Sequence, residues 1–379
     1  MKPPEYYRGR EQTYLKHFFL ERYLERVAYN IGSFATEFVY VDGFSGPWRS
    51  EDQTFEDTSF KIAMATLRRV REGLKKIGRT PTIRCVFVEK DQKAFGLLQQ
   101  AIAGVDDIQV TALNAEFEKA IPDVLKAIGK AFSLVFIDPA GWTGFGLNQI
   151  APILTHRGEV LVNFMFDHIN RFLDVENPDV SFDDLLGGPG WESAVAAGAR
   201  REDAIVEFYR QRMRAIGKFD YVTWTRIHKP TVDRAYFYLV YGTRHPKGLV
   251  EFRHVEQREI QEQERVRLDA KQAQRIGRTG QPELFQGSDL ASGPPSFEEE
   301  RRINLRAAER RLDDMLAPGR RVKYEDIQGA LLEVPLVWES DIKEIVADRR
   351  KLGTVEVLGL KPRERTPKPG HFLVKRDVN

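Results

Sequence analysis

Short apolar runs alternate with amphipathic stretches over the first 165 residues. Within 10–29, Leu15, Phe18, Phe19, Tyr23, Leu24 and Val27 recur at helical spacing, which predicts an amphipathic helix. Apolar runs at 37–42, 82–88, 108–112, 133–137 and 159–165 predict five strands. The runs are continuous rather than alternating, as expected for strands covered on both faces. Helices are predicted between them over 59–77, from Asp91 as a cap, over 115–129 and over 146–155. Repeated strand–helix units with short crossovers predict a parallel sheet with helices on both faces.

The pattern then changes. Gly187-Gly188-Pro189-Gly190 marks a loop within the irregular stretch 167–198, and a helix is predicted over 202–216. Two β-rich runs, 221–228 and 234–242, flank Lys229-Pro230-Thr231-Val232-Asp233 and predict an antiparallel hairpin. Residues 1–275 are read as one Rossmann-like domain with an N-terminal helix, and 276–297 as a linker rich in Gly and Pro. Residues 298–379 are read as a small module, with helices at 298–315, 324–331 and 339–350. Short strands at 355–357 and 372–374 close it, which suggests a winged helix.

Composition narrows the function classes. Of 379 residues, 42% are hydrophobic and 30% charged, which predicts a globular protein able to bury a core. The net charge of +2 does not by itself announce a polyanionic partner, although Lys and Arg outnumber acids over 200–278 and near the C-terminus. Cys85 is the single cysteine, so no internal disulfide and no cysteine-based zinc or iron–sulfur site can be built from this chain. It sits in an apolar run and reads as a small core residue. The histidines show no metal-ligand spacing, so no metal site is predicted. The N-terminus lacks the apolar centre of a signal peptide, and no run is long enough for a membrane span. A cytoplasmic protein is expected.

In a parallel sheet of this kind, functional groups collect at the carboxyl ends of the strands. Asp42, Glu89, Asn114 and Asp138 fall at or just beyond four such ends. Asp42-Gly43-Phe44-Ser45-Gly46 is an acid followed by a small-residue turn. It reads as a cofactor-binding turn or as an ordinary Asp-Gly turn. Glu89 is placed to accept both hydroxyls of a ribose, or to pair with Lys90 or Lys93. Asn114 reads equally as a reader of an adenine edge or a helix cap. Asp138-Pro139-Ala140-Gly141-Trp142 resembles the motif by which amino-directed methyltransferases hold a target amine. Here Ala140 replaces the second proline and Trp142 comes one residue late. Asp138 therefore reads as an acceptor or general base, or as a pocket wall. Pro139 and Trp142 read as substrate contacts, with Trp142 equally a core or lid residue. Trp48 reads as core packing or as a cover for the cofactor.

The chain resembles the three-Cys-motif partner protein (TcmP) family. The resemblance rests on Tyr40-Val41-Asp42-Gly43-Phe44-Ser45-Gly46-Pro47, Thr58-Ser59, Val88-Glu89-Lys90-Asp91 and Phe136-Ile137-Asp138-Pro139, with Lys16 and Tyr23-Leu24 of the first helix. It covers roughly residues 10–245. It implies a class I methyltransferase-like Rossmann fold in a bacterial or phage protein, encoded beside a cysteine-motif protein of the radical-SAM type. The leading expectation is an enzyme that uses S-adenosyl-L-methionine (SAM) and acts on a nucleic acid or nucleotide. Asp42, Gly43, Phe44, Ser45, Gly46, Glu89 and Asn114 would hold the cofactor, and Asp138 would serve the acceptor. The second expectation is a non-catalytic adaptor for the radical-SAM-type partner. A third is a Mg²⁺ enzyme using Asp42, Glu89 and Asp138.

Overall fold

A computed structural model describes residues 1–46, 54–139, 141, 143–166, 182–197, 201–229, 235–279, 297–317 and 320–376. Trp48 and Trp142 lie outside the described residues, as does most of the expected linker. The chain divides into two compact units: Met1–Arg244 with Glu262–Ala270, and His245–Gln261 with Lys271–Asn379.

The first unit is built on a seven-stranded sheet in the order β3-β2-β1-β4-β5-β7-β6. Its strands are β1 (Glu37–Asp42), β2 (Thr82–Glu89), β3 (Gln109–Asn114), β4 (Phe132–Ile137), β5 (Gly158–Phe164), β6 (Tyr221–His228) and β7 (Ala235–Thr243). The first five pair in parallel, and β7 runs antiparallel to both β5 and β6. This is the Rossmann-like sheet with a terminal hairpin that the apolar runs predict. Helices α1 (Glu11–Gly32), α2 (Ser59–Lys76), α3 (Gln92–Ile102) and α4 (Phe117–Ile128) follow the expected positions closely. The Asp91 side chain accepts from Ala94 N–H at 2.8 Å and so caps α3, as expected. Cys85 is fully buried, and burial pushes its thiol above the ordinary range, as fits an inert core residue.

One helix is shorter than the pattern predicts. Instead of 146–155, α5 spans only Ala151–Leu154. The preceding residues form turns, with Gly146 N–H held by Glu118 Oε1 at 2.9 Å and Leu147 N–H by the Asp184 carbonyl at 3.2 Å. Pro152 lies in the first turn, where a missing N–H is harmless, so the helix starts there. Further helices among the described residues of this unit are α6 (Phe182–Leu186), α7 (Trp191–Ala197) and α8 (Arg201–Gly217).

Helix α9 (Pro246–Thr279) supplies residues to both units. In the second unit the order is α10 (Phe297–Met315), β8 (Arg321–Lys323), α11 (Tyr324–Leu332), α12 (Glu339–Lys351), β9 (Val355–Leu358) and β10 (Phe372–Lys375). The strands form an antiparallel sheet in the order β8-β10-β9. Its buried face carries Val322, Leu373 and Val357, backed by Leu312, Leu331, Ile342 and Val346. Sequence reading missed β8, a strand of three residues whose two outer positions are charged. Among the described residues no helix is long and apolar enough to cross a membrane.

Candidate active site

The site begins where β1 stops. Asp42 is fully buried, and its Oδ1 accepts from Phe44 N–H at 3.1 Å and its Oδ2 from the Ser59 hydroxyl at 2.6 Å. Neighbouring strands pin the turn: Gly43 N–H donates to the Phe136 carbonyl at 2.9 Å and Ser45 N–H to the Val88 carbonyl at 2.8 Å. The Ser45 hydroxyl donates to the Asp42 carbonyl at 2.9 Å. Burial pushes the Asp42 carboxyl up to about 6, against the Ser59 and Phe44 hydrogen bonds that favour the ion.

Packing gives Gly43 a reason to be small besides its place in the turn. A Cβ there would lie 2.9 Å from the Phe117 ring, so glycine is needed for packing. Gly43→Ala should cost about 1–3 kcal/mol, as an overpacked core site does. Thermal denaturation followed by circular dichroism would show a lowered midpoint, and an unchanged midpoint would disprove the packing argument.

Phe44 lines two cavities. One, of about 220 Å³, is lined by Gly43, Phe44, Glu89, Asp91, Phe117 and Gly141, among others. Glu89 is buried there and accepts from Asp91 N–H through Oε1 at 2.7 Å. The other, of about 130 Å³, is lined by Phe44, Gly46, Ser59, Asp138, Pro139 and Asn163, with α1 residues Thr13, Lys16 and His17.

Asp138 lies just past β4 with both oxygens engaged. Lys16 Nζ stands 2.5 Å from Oδ2, and Asn163 Nδ2 donates to Oδ1 at 2.6 Å. Asn163 sits near the end of β5, is almost fully buried, and its Oδ1 has no hydrogen-bond partner among the described residues. Lys16 reaches the site because α1 is anchored two turns further on. The Tyr23 hydroxyl donates to Glu159 Oε2 at 2.7 Å and meets the Tyr241 hydroxyl at 2.6 Å. Residues seven apart lie on one helix face, so fixing Tyr23 aims Lys16. Beside Lys16, His17 is held neutral: burial pushes its pKa well down, and the Lys16 and Arg10 cations add to this.

The structure thus brings Gly43, Phe44, Gly46, Glu89, Asp138 and Pro139 to the cavity walls. Asp42, Ser45 and Asn114 line neither cavity. Asn114 uses its amide on the Glu89 carbonyl at 2.8 Å and the Lys90 carbonyl at 3.3 Å, which braces the β2–β3 ends. Asp42, Glu89 and Asp138 do not form a metal-ligating group, and no group of three or more His, Cys, Asp or Glu is so placed among the described residues. Sequence reading assigned no site role to Lys16, Ser59 or Asn163. Asn163 had left a signal, being one amide inside the apolar run Val160-Leu161-Val162-Asn163-Phe164.

No protein-family model and no curated protein matches the chain. Solved structures do show similarity. Protein LPL1258 of Legionella pneumophila is 12% identical, with a TM-score of 0.34 over 61% of this chain and 84% of that one. The O-methyltransferase TomG of Streptomyces achromogenes, in complex with SAM, is 16% identical, with a TM-score of 0.30 over 59% and 79%. Loganic acid methyltransferase with SAH is 9% identical, with a TM-score of 0.30 over 67% and 83%. Likenesses of this size carry nothing about activity. The strand order and the antiparallel β7 make the first unit a Rossmann-like fold of the class I methyltransferase type.

Proposed function

We propose that the first unit is a SAM-dependent methyltransferase whose acceptor is an amine of a nucleic acid or nucleotide. The observation that carries this reading is the Lys16–Asp138–Asn163 cluster beside the cavity at the strand ends. The residues present fit the cofactor. Glu89 would take the ribose hydroxyls, Gly43 and Phe44 would border the adenosine, and Gly46 and Ser59 would face the methionine portion. When bound, SAM supplies an electrophilic methyl group. The chain's own task is then to align a nucleophile and to accept a proton. Asp138, fixed from both sides, orients the acceptor. The unpartnered Asn163 Oδ1 favours a ligand with an N–H donor, because a buried acceptor left unmade costs about 1–3 kcal/mol.

The resemblance to the TcmP family supports a second reading, an adaptor for a cysteine-motif radical-SAM-type protein. One observation favours it: both Asp138 oxygens already have partners within the chain. Calorimetric titration of SAM into the wild-type protein and Glu89→Ala separates the two. Loss of charge-assisted bonds worth about 1.5–3 kcal/mol should weaken binding by roughly 10- to 100-fold. Absence of SAM binding by folded wild-type protein rejects the methyltransferase reading. Co-purification with the neighbouring gene product would then support the adaptor.

A further inference from the structure

The second unit carries a charge distribution that the whole-chain total hides. Residues 349–376 hold nine Lys and Arg against two acids, whereas the full chain is only +2. Three of the nine are neutralised locally: Arg349 by Asp313, Lys368 by Glu364 and Arg376 by Glu356. Lys351, Lys361, Arg363 and Arg365 are exposed and form no ion pair among the described residues. Lys351 ends α12, and the other three lie on the loop between β9 and β10.

That loop is preformed. Arg350 Nη1 donates to the Arg365 carbonyl at 2.8 Å, which ties the end of α12 to the loop. Glu364 turns inward and accepts from Lys361 N–H at 3.0 Å, while Gly370 N–H donates to Glu325 at 3.0 Å. Pro362, Pro367 and Pro369 restrict the backbone further. The loop's acid is therefore spent on its own structure, and its cations face solvent with little ordering left to do.

We propose that the end of α12 and the β9–β10 loop form a binding surface for the phosphate backbone of duplex DNA, in the manner of a winged helix. The proposal names the polymer that would carry the acceptor. It rests on the nucleic-acid part of the functional reading and not on methyl transfer. Charge complementarity argues for a polyanion. Single strands are held chiefly by stacking on aromatic rings, and the one aromatic ring other than His371 within 349–376, Phe372, is half-buried. RNA duplexes are recognised largely through 2′-hydroxyls, and across 361–370 Thr366 is the one hydroxyl-bearing side chain. The exposed stripe of α12 includes Glu344 and Asp348, so contact falls on its last turn and on the loop. Such contacts position a duplex rather than read its bases.

The test uses the full chain without SAM, with fluorescence anisotropy on a short duplex DNA over a range of salt. Four phosphate contacts give a log–log salt slope of about −3.6, and Lys361→Ala/Arg363→Ala/Arg365→Ala should reduce it to about −0.9. Affinity at fixed salt should fall about tenfold or more. Arg376→Ala, already paired with Glu356, should change the slope far less. The proposal is overturned if wild-type protein does not bind the duplex, or if the triple variant keeps wild-type affinity and slope. It is equally overturned by tighter binding to an RNA duplex, or by binding to anionic lipid vesicles in place of DNA. Duplex binding by a protein that fails to bind SAM would leave this proposal standing and remove the methyltransferase reading.

Discussion

Asp138→Asn is expected to lower methyl transfer by about 10³-fold, within the range for loss of an acid–base group, while SAM affinity changes little. The assay is S-adenosylhomocysteine release with nucleic-acid substrates. The substitution keeps the size of the side chain but removes the charge that Lys16 faces at 2.5 Å. Both side chains retain little exposure, 14% for Lys16 and 13% for Asp138, so the orphaned ammonium sits in a poorly hydrated place. Breaking such a pair by removing one partner costs about 3 kcal/mol. In a unit of this size that lowers the melting midpoint by roughly 6–12 °C. Activity and stability are therefore confounded in the single variant. Lys16→Met/Asp138→Leu separates them, because replacing both charges with apolar groups restores much of the stability. The double variant should melt above the single variant, short of wild type because the buried Asn163 amide loses its acceptor, and remain inactive. A stable double variant that still transfers methyl groups would show that the pair is only structural. Under that result Asp138 has no part in handling the acceptor.

Strands β1, β2 and β4 were legible because each is a largely apolar run that stops at an acid, whereas β3 alternates at half-exposed positions and was placed by its spacing. Buried parallel strands leave that signature, and Asp42, Glu89 and Asp138 mark their ends. The second unit was legible in order but not in full, since a three-residue strand such as β8 leaves no periodicity to detect. The site was half-legible for a similar reason. Residues on the strand ends announce themselves locally. Lys16 and Ser59 do not, because a lysine or serine on an amphipathic helix has the same pattern whether it faces water or a cavity. What aims Lys16 is the bond from Tyr23 to Glu159, a pairing across 136 positions that no local pattern encodes. Gly43 shows the opposite case. Its identity was readable, but the packing limit that the Phe117 ring sets on it required the fold.

Asp42→Asn should make the protein more stable at pH 7.5 and flatten its dependence on pH. Burial raises the Asp42 carboxyl from 3.8 to about 6, outweighing the Ser59 and Phe44 hydrogen bonds and the Lys16 charge that favour the ion. A carboxyl whose folded pKa is raised stabilises the fold below its unfolded pKa, and this contribution is lost as pH climbs through the folded value. The loss therefore falls between about pH 4 and pH 6 and amounts to about 3 kcal/mol. Asparagine has no charge to bury, and it fits the existing contacts. Its Oδ1 can keep the Phe44 N–H, and its amide can donate to the Ser59 hydroxyl, which turns to accept. Melting curves from pH 4 to pH 8 should thus converge at the acid end and diverge above pH 6, with the variant higher. The same carboxylate is among the groups the sequence reading expects to hold SAM, and the ammonium of the cofactor is the cation it would face. If it does, binding will favour the ionised form, so SAM affinity in wild type will rise with pH through 6 with release of a proton, and Asp42→Asn will abolish that rise. Equal SAM affinity and equal pH dependence in the two proteins would assign Asp42 to the turn alone and leave Glu89 and the Lys16–Asp138–Asn163 cluster as the polar groups of the site.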